Sequence, residues 1–132
     1  MKLCSSCSSC SCHTDDASDQ TRVIIESPFA AKDDADIARN IDYARAALRD
    51  SLLRGEAPYA SHLLYTQPGV LDDRDTAQRK MGMLAGFAWG RVATSSVVYV
   101  DRGVSVGMKA GIARAESEGR KVVERSLIRT SR

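Results

Sequence analysis

Between Val23 and Glu124 the chain alternates short β-branched runs with stretches of helical spacing, and an alternation of that kind admits few folds. Val23-Ile24-Ile25, closed by Ser27-Pro28, reads as a buried strand ended by a turn. From Asp33 to Arg54 the residues Ile37, Ile41, Ala44, Leu48 and Leu52 line one helical face, with Asp33 as the N-cap and Gly55 just past the end. Ala57-Pro58-Tyr59-Ala60 is a weaker strand, expected to be short and peripheral because proline is tolerated at a sheet edge. Ser61 to Arg74 has turn chemistry without periodicity and reads as a functional loop. Asp75 and Gln78 then open a second helix in capping-box fashion. Its apolar face is read as Met81, Leu84, Ala88 and Val92, while Gly82, Gly86 and Gly90 allow a neighbour to approach closely, and Phe87 and Trp89 are read as packing residues. Val97 to Val100 is a second buried strand ending at Asp101-Arg102-Gly103. Ser105 caps a third helix carrying Met108, Ile112 and Ala115 and stopping at Gly119, and Lys121 to Glu124 is the last strand.

Strands and helices in strict alternation imply an α/β fold: a small three-layer, open parallel sheet of Rossmann or flavodoxin type, with roughly four to five strands. With the strand order 2-1-3-4, the order reverses between the first and third strands, where ligands of such sheets bind beyond the carboxyl ends. Ser27, Pro28 and Phe29 then face the segment from Asp101 to Gly107.

A length of 132 residues suits one domain, and 19 basic against 17 acidic residues leave a net charge of +2, too small a bias to expect nucleic acid as a partner. A small anionic ligand remains compatible. No apolar run approaches the length of a membrane span, so no membrane partner is expected. All four cysteines, Cys4, Cys7, Cys10 and Cys12, lie at the start, so the rest folds without disulfides, as expected in the reducing cytoplasm. Residues 1–21 form a low-complexity, Ser/Cys-rich tail expected to be disordered, and residues 22–132 form the domain. The cysteines and His13 are soft ligands, but packed so closely they cannot easily close a tetrahedral cage; neither a metal nor a cofactor is expected.

Gly103-Val-Ser105-Val-Gly107 follows a strand and opens a helix, the setting of a nucleophile elbow. A triad of that type needs a histidine after the serine, and both His13 and His62 precede it. The segment suits instead a helix N-terminus whose free N–H groups hold a phosphate or carboxylate, or a plain cap. His62, just after the second strand, can reach the sheet's carboxyl edge or serve structurally. Arg114 to Arg132 is basic and reads as a solvated face.

Val23-Ile-Ile-Glu-Ser-Pro-Phe29, Arg39-Asn40-Ile-Asp-Tyr-Ala44, Ala57-Pro-Tyr-Ala-Ser-His62-Leu-Leu64 and Ser105-Val-Gly-Met108 with Ala115 and Gly119 together resemble small phage and bacterial proteins related to nucleoside 2-deoxyribosyltransferases. The resemblance implies the same sheet, assembly into a homo-oligomer, and a nucleoside or nucleotide as ligand. Ser27, Pro28 and Phe29 would shape the sugar pocket; Gly103, Ser105, Gly107 and Met108 would offer backbone donors; Asn40, His62 and Asp101 would complete the ligand site. Enzymes of that family attack the anomeric carbon with a carboxylate in a pattern close to Asp-x-Gly-x-x-x-Glu. Here Gly107 matches the glycine, but Ser105 stands at the first acidic position and Gly111 at the nucleophile. The resemblance therefore implies a nucleotide binder without the standard nucleophile, possible roles including sequestration of a nucleotide in a phage setting, and leaves the catalytic residues unassigned. Its alternatives are an N-glycosidase or deoxyribosyltransferase with a relocated carboxylate, for which Glu26, Asp72, Asp73 and Asp101 lie near by topology, and a non-catalytic interaction module.

Overall fold

The computed structural model describes residues 20–128. Its elements are β1 (Thr21–Glu26), α1 (Asp34–Leu53), β2 (Glu56–Tyr59), α2 (Ser61–Leu64), α3 (Thr76–Gly90), β3 (Ser95–Tyr99), α4 (Val106–Ser117) and β4 (Lys121–Arg125). All strand pairs are parallel, as the alternation of elements leads one to expect, and the order is β2-β1-β3-β4, the one on which the switch-point reading depends. The short β2, with Pro58 in it, takes the edge beside β1. Residues 1–19 and 129–132, and with them the cysteine-rich segment, lie outside the described residues.

Strand periodicity divides the central residues between two layers. Val23, Ile25, Val97 and Tyr99 pack with Ala47, Tyr43 and Leu48 of α1 on one face. Ile24, Glu26, Ser96 and Val98 point to the other, where α4 buries Met108, Gly111 and Ala115. Helix starts follow the expected chemistry. Asp33 Oδ1 accepts from the Asp36 N–H at 2.8 Å and Asp75 Oδ2 from the Gln78 N–H at 3.2 Å. The Gln78 side chain, however, accepts from the Asp72 N–H at 2.8 Å, so it pins the preceding turn and does not close a capping box. At α4 the box is closed through sulfur: Ser105 Oγ accepts from the Met108 N–H and Met108 Sδ from the Ser105 N–H. Gly55 and Gly119 end α1 and α4 at φ of 85° and 71°, which a side chain would strain.

Helix α3 departs from the expectation. Met81, Leu84 and Val92 are 59%, 54% and 50% exposed, and the glycine stripe turns inward in their place. The reason is room: a Cβ on Gly86 would stand 2.6 Å from Ser61 Oγ, and one on Gly90 3.2 Å from Arg120 Nη2. Trp89 likewise is not a core residue; it lies half exposed against Tyr59, with ring centroids 6.0 Å apart. The stretch read as a loop after β2 contains α2, and the chain from Tyr65 to Asp73 folds back over α3. The basic C-terminal stretch is only partly a solvated face, since Arg120 and Arg125 are both mostly buried in ion pairs.

Candidate functional site

Helix α3 meets α2 through Gly86 against Ser61 and α4 through Phe87 beneath Arg114, so it stands away from the sheet and encloses a cavity of about 400 Å³ above β1. The cavity opens at the carboxyl ends of β1 and β3, the switch point of the sheet. Ser27, Phe29, His62, Ser105, Gly107 and Met108 line it together.

Pro28, Asn40, Asp101 and Gly103 do not line it. Asn40, on α1, is buried on the opposite side, where its Nδ2 donates to the Phe29 carbonyl at 3.0 Å and its Oδ1 accepts from Arg102 Nε at 2.9 Å, tying together the turns after β1 and β3. Asp101 also turns toward α1. It accepts from Tyr43 Oη at 2.7 Å, from the Leu127 N–H at 2.7 Å and from the Ser126 hydroxyl. Burial opposes its charge, but these hydrogen bonds outweigh it and hold the carboxyl down at about 2. Gly103 serves the turn itself at φ of 86°. Asn40 and Asp101 shape the rim indirectly, their side chains held by other partners.

Glu26 is the residue that the sequence reading left among several carboxylates. It ends β1 on the cavity face, and burial pushes its carboxyl up to about 8 although Arg120 pulls the other way. A Cβ built on Gly111 would stand 2.1 Å from Glu26 Oε2 and 2.6 Å from its Cδ. The carboxyl thus occupies the space that a side chain at Gly111 would need. Two signals for this were available, the shared face of Ile24 and Glu26 and the four-residue spacing of Gly107 and Gly111; neither says that strand and helix meet there.

Beside Glu26, the Ser27 hydroxyl and His62 Nε2 are hydrogen-bonded at 2.6 Å. Burial lowers the His62 pKa to about 4, so the ring stays neutral at physiological pH. The folded state then binds fewer protons than the unfolded one between pH 6.5 and 4, and its stability falls as the pH drops through that window. Exchange for glutamine should remove a loss of about 2–3 kcal/mol on acidification from pH 7 to pH 4, read as the difference between urea denaturation curves of the two proteins. Identical pH profiles would show that the ring is not desolvated.

Cationic groups stand at two levels. At the mouth, Arg79 pairs loosely with Asp73 at 3.8 Å and lies against the start of α4, its Nη2 3.7 Å from the position of a Cβ on Gly107. The first N–H groups of that helix are free there. Farther in lies Arg120. No cluster of three or more metal-ligating side chains occurs among the described residues. Nor is any helix among them long and apolar enough to cross a membrane.

The model of the domain of unknown function DUF7768 matches residues 21–125, from the first residue of β1 to the last of β4. The chain belongs to this family. No curated protein matches it. Among solved structures, this DUF7768 chain is similar to a 2-deoxyribosyltransferase from the psychrotolerant bacterium Bacillus psychrosaccharolyticus, with a TM-score of 0.56 and 15% identity over 85% of this chain and 77% of that one. At that identity the likeness establishes a shared α/β fold.

Proposed function

We propose that this DUF7768 protein binds a nucleoside or nucleotide in the switch-point cavity and acts on its glycosidic bond through Glu26. The observation that carries the proposal is the Glu26 carboxyl lying where Gly111 has no side chain. Under the deoxyribosyltransferase resemblance, Gly111 is the nucleophile position, so the carboxylate is supplied from β1 in place of α4. The sugar lies near Ser27, Phe29 and Met108, and a phosphate or sugar oxygen meets Arg79 and the free N–H groups at Val106 and Gly107. Ionised Glu26 forms a bond to the anomeric carbon as the C–N bond breaks. The bonding pair leaves with the base, which takes a proton from solvent, and water or a second base then displaces Glu26. The exposed row of Met81 and Leu84 on α3, with Val92 just beyond its end, supports self-association through that face.

A second reading, a binder that sequesters a nucleotide without turning it over, is favoured by the same carboxyl being held neutral up to about pH 8. Chromatography of deoxyribonucleosides and their 5′-monophosphates incubated with the protein separates the two. Release of free base that increases with pH through about 8 is expected; tight binding without release supports sequestration, and neither binding nor release overturns both.

A further inference from the structure

The inner end of the cavity holds a hydrogen-bond donor that no described residue uses. Arg120, just before β4, keeps only 6% of its side chain exposed. Its Nε–H donates to Ser96 Oγ at 3.0 Å, and Nη1 donates to the Gly90 carbonyl at 2.8 Å and to Glu118 Oε1 at 2.7 Å. A planar guanidinium held at two nitrogens cannot turn its third away. Nη2 makes no hydrogen bond to any described residue, and Gly90 and Arg120 both line the cavity. The lining also includes Ile24, Met83, Gly86 and Phe87, an apolar slot that suits a flat ring.

Register sets the depth. Ser96, which holds Arg120, pairs with Ile24, and Glu26 is two residues further along β1, a rise of about 6.6 Å. A nucleoside with its anomeric carbon at the Glu26 carboxyl and its base directed inward along β1 would bring the far edge of that base to the level of Arg120. Guanidinium nitrogens only donate. A ring carbonyl at that edge satisfies Nη2, whereas an exocyclic amino group there sets donor against donor and leaves both desolvated and unpaired.

Building on the nucleoside reading above, we propose that the slot selects nucleosides of an oxo base over those of the matching amino base, with Arg120 Nη2 donating to the ring carbonyl. Deoxyinosine and deoxyadenosine differ at that edge and serve as the probes. Calorimetric titration of the full chain at pH 6, where Glu26 is neutral, is expected to show deoxyinosine binding at least about tenfold more tightly. Arg120→Gln, whose amide oxygen accepts from an amino group, should bring the two affinities within about twofold or reverse them. Because Arg120 also joins β3, α3 and α4, Gly90→Ala provides an independent variant: its methyl, 3.2 Å from Nη2, displaces that nitrogen while Arg120 remains, and should also reduce the preference. Equal wild-type affinities, or a preference surviving in whichever of these variants folds, would overturn the selectivity and leave the nucleoside reading standing. If neither probe binds, as the nucleoside or as its 5′-monophosphate, that reading falls, and the selectivity with it.

Discussion

Glu26→Gln is expected to abolish base release, by about a thousandfold or more, and to stabilise the protein at alkaline pH. The two effects have one cause. Glutamine keeps the shape that fills the space beside Gly111, but it can neither ionise nor bond to an anomeric carbon. In the wild type, burial raises the carboxyl from 4.5 to about 8, so between those values the folded state keeps a proton that the unfolded chain has released. Stability then falls as the pH rises through that window and levels off above it. The variant has no such slope. Its advantage should grow from near zero at pH 4.5 to about 3–5 kcal/mol at pH 9, measured by urea denaturation across the range. Between pH 4.5 and 6.5 the slopes of Glu26 and His62 oppose each other, so the wild-type curve alone is uninformative there and comparison with the variant is needed. A stability difference that does not vary with pH would mean that the carboxyl is hydrated and unsuited to the role assigned to it. Base release that survives the substitution would move the chemistry to another group.

Arg125→Met is expected to cost about 3 kcal/mol at pH 7 without touching the cavity. Arg125 Nη2 and Nη1 donate to Glu56 Oε2 and Oε1 at 2.6 and 2.9 Å, and Nη1 also reaches Tyr99 Oη at 3.1 Å. The pair connects β4 to β2, the two edges of the sheet, across the end of the α1 layer. Ser51 donates to Glu56 Oε1 at 2.7 Å, but one hydroxyl cannot replace a guanidinium for a carboxylate mostly removed from water. Hydrogen bonding by Arg125 holds Glu56 below the usual carboxylate range, so its contribution is present above about pH 4.5 and disappears as Glu56 protonates on further acidification. Thermal or urea unfolding of Arg125→Met should therefore differ from the wild type most above pH 5 and approach it on acidification as Glu56 protonates in the folded state. Glu56→Gln in the same background should recover part of the loss, since it removes the stranded charge. A cost under about 0.5 kcal/mol at pH 7 would class the pair with solvent-exposed bridges.

The α/β order and the parallel sheet were legible from the chain alone, whereas the strand order, and with it the place of the switch point, is decided by tertiary packing. Both legible features rest on short-range rules: β-branched runs at Val23–Ile25 and Val97–Val98, helix caps at Asp33, Asp75 and Ser105, glycines at Gly55 and Gly119, and the helical crossovers that join parallel strands. Local rules also put Ser27, Phe29, Ser105, Gly107 and Met108 at the sheet's carboxyl edge. They could not say where side chains with two competing partners would turn. Asn40 and Asp101 carry the right chemistry for a ligand site, yet Phe29, Arg102, Tyr43 and Leu127 claim them from the α1 side. The inward face of α3 was equally hidden, because hydrophobic spacing favours Met81, Leu84 and Val92, and only the close approach of Ser61 and Arg120 makes glycine the residue that fits. Glu26 and Gly111 are 85 residues apart in the chain, and their relation is one of volume: one side chain fills what the other lacks. Periodicity assigns each of them to a face, but a shared volume exists only once strand and helix are packed, and so the tertiary structure alone decided which carboxylate stands beside Gly111.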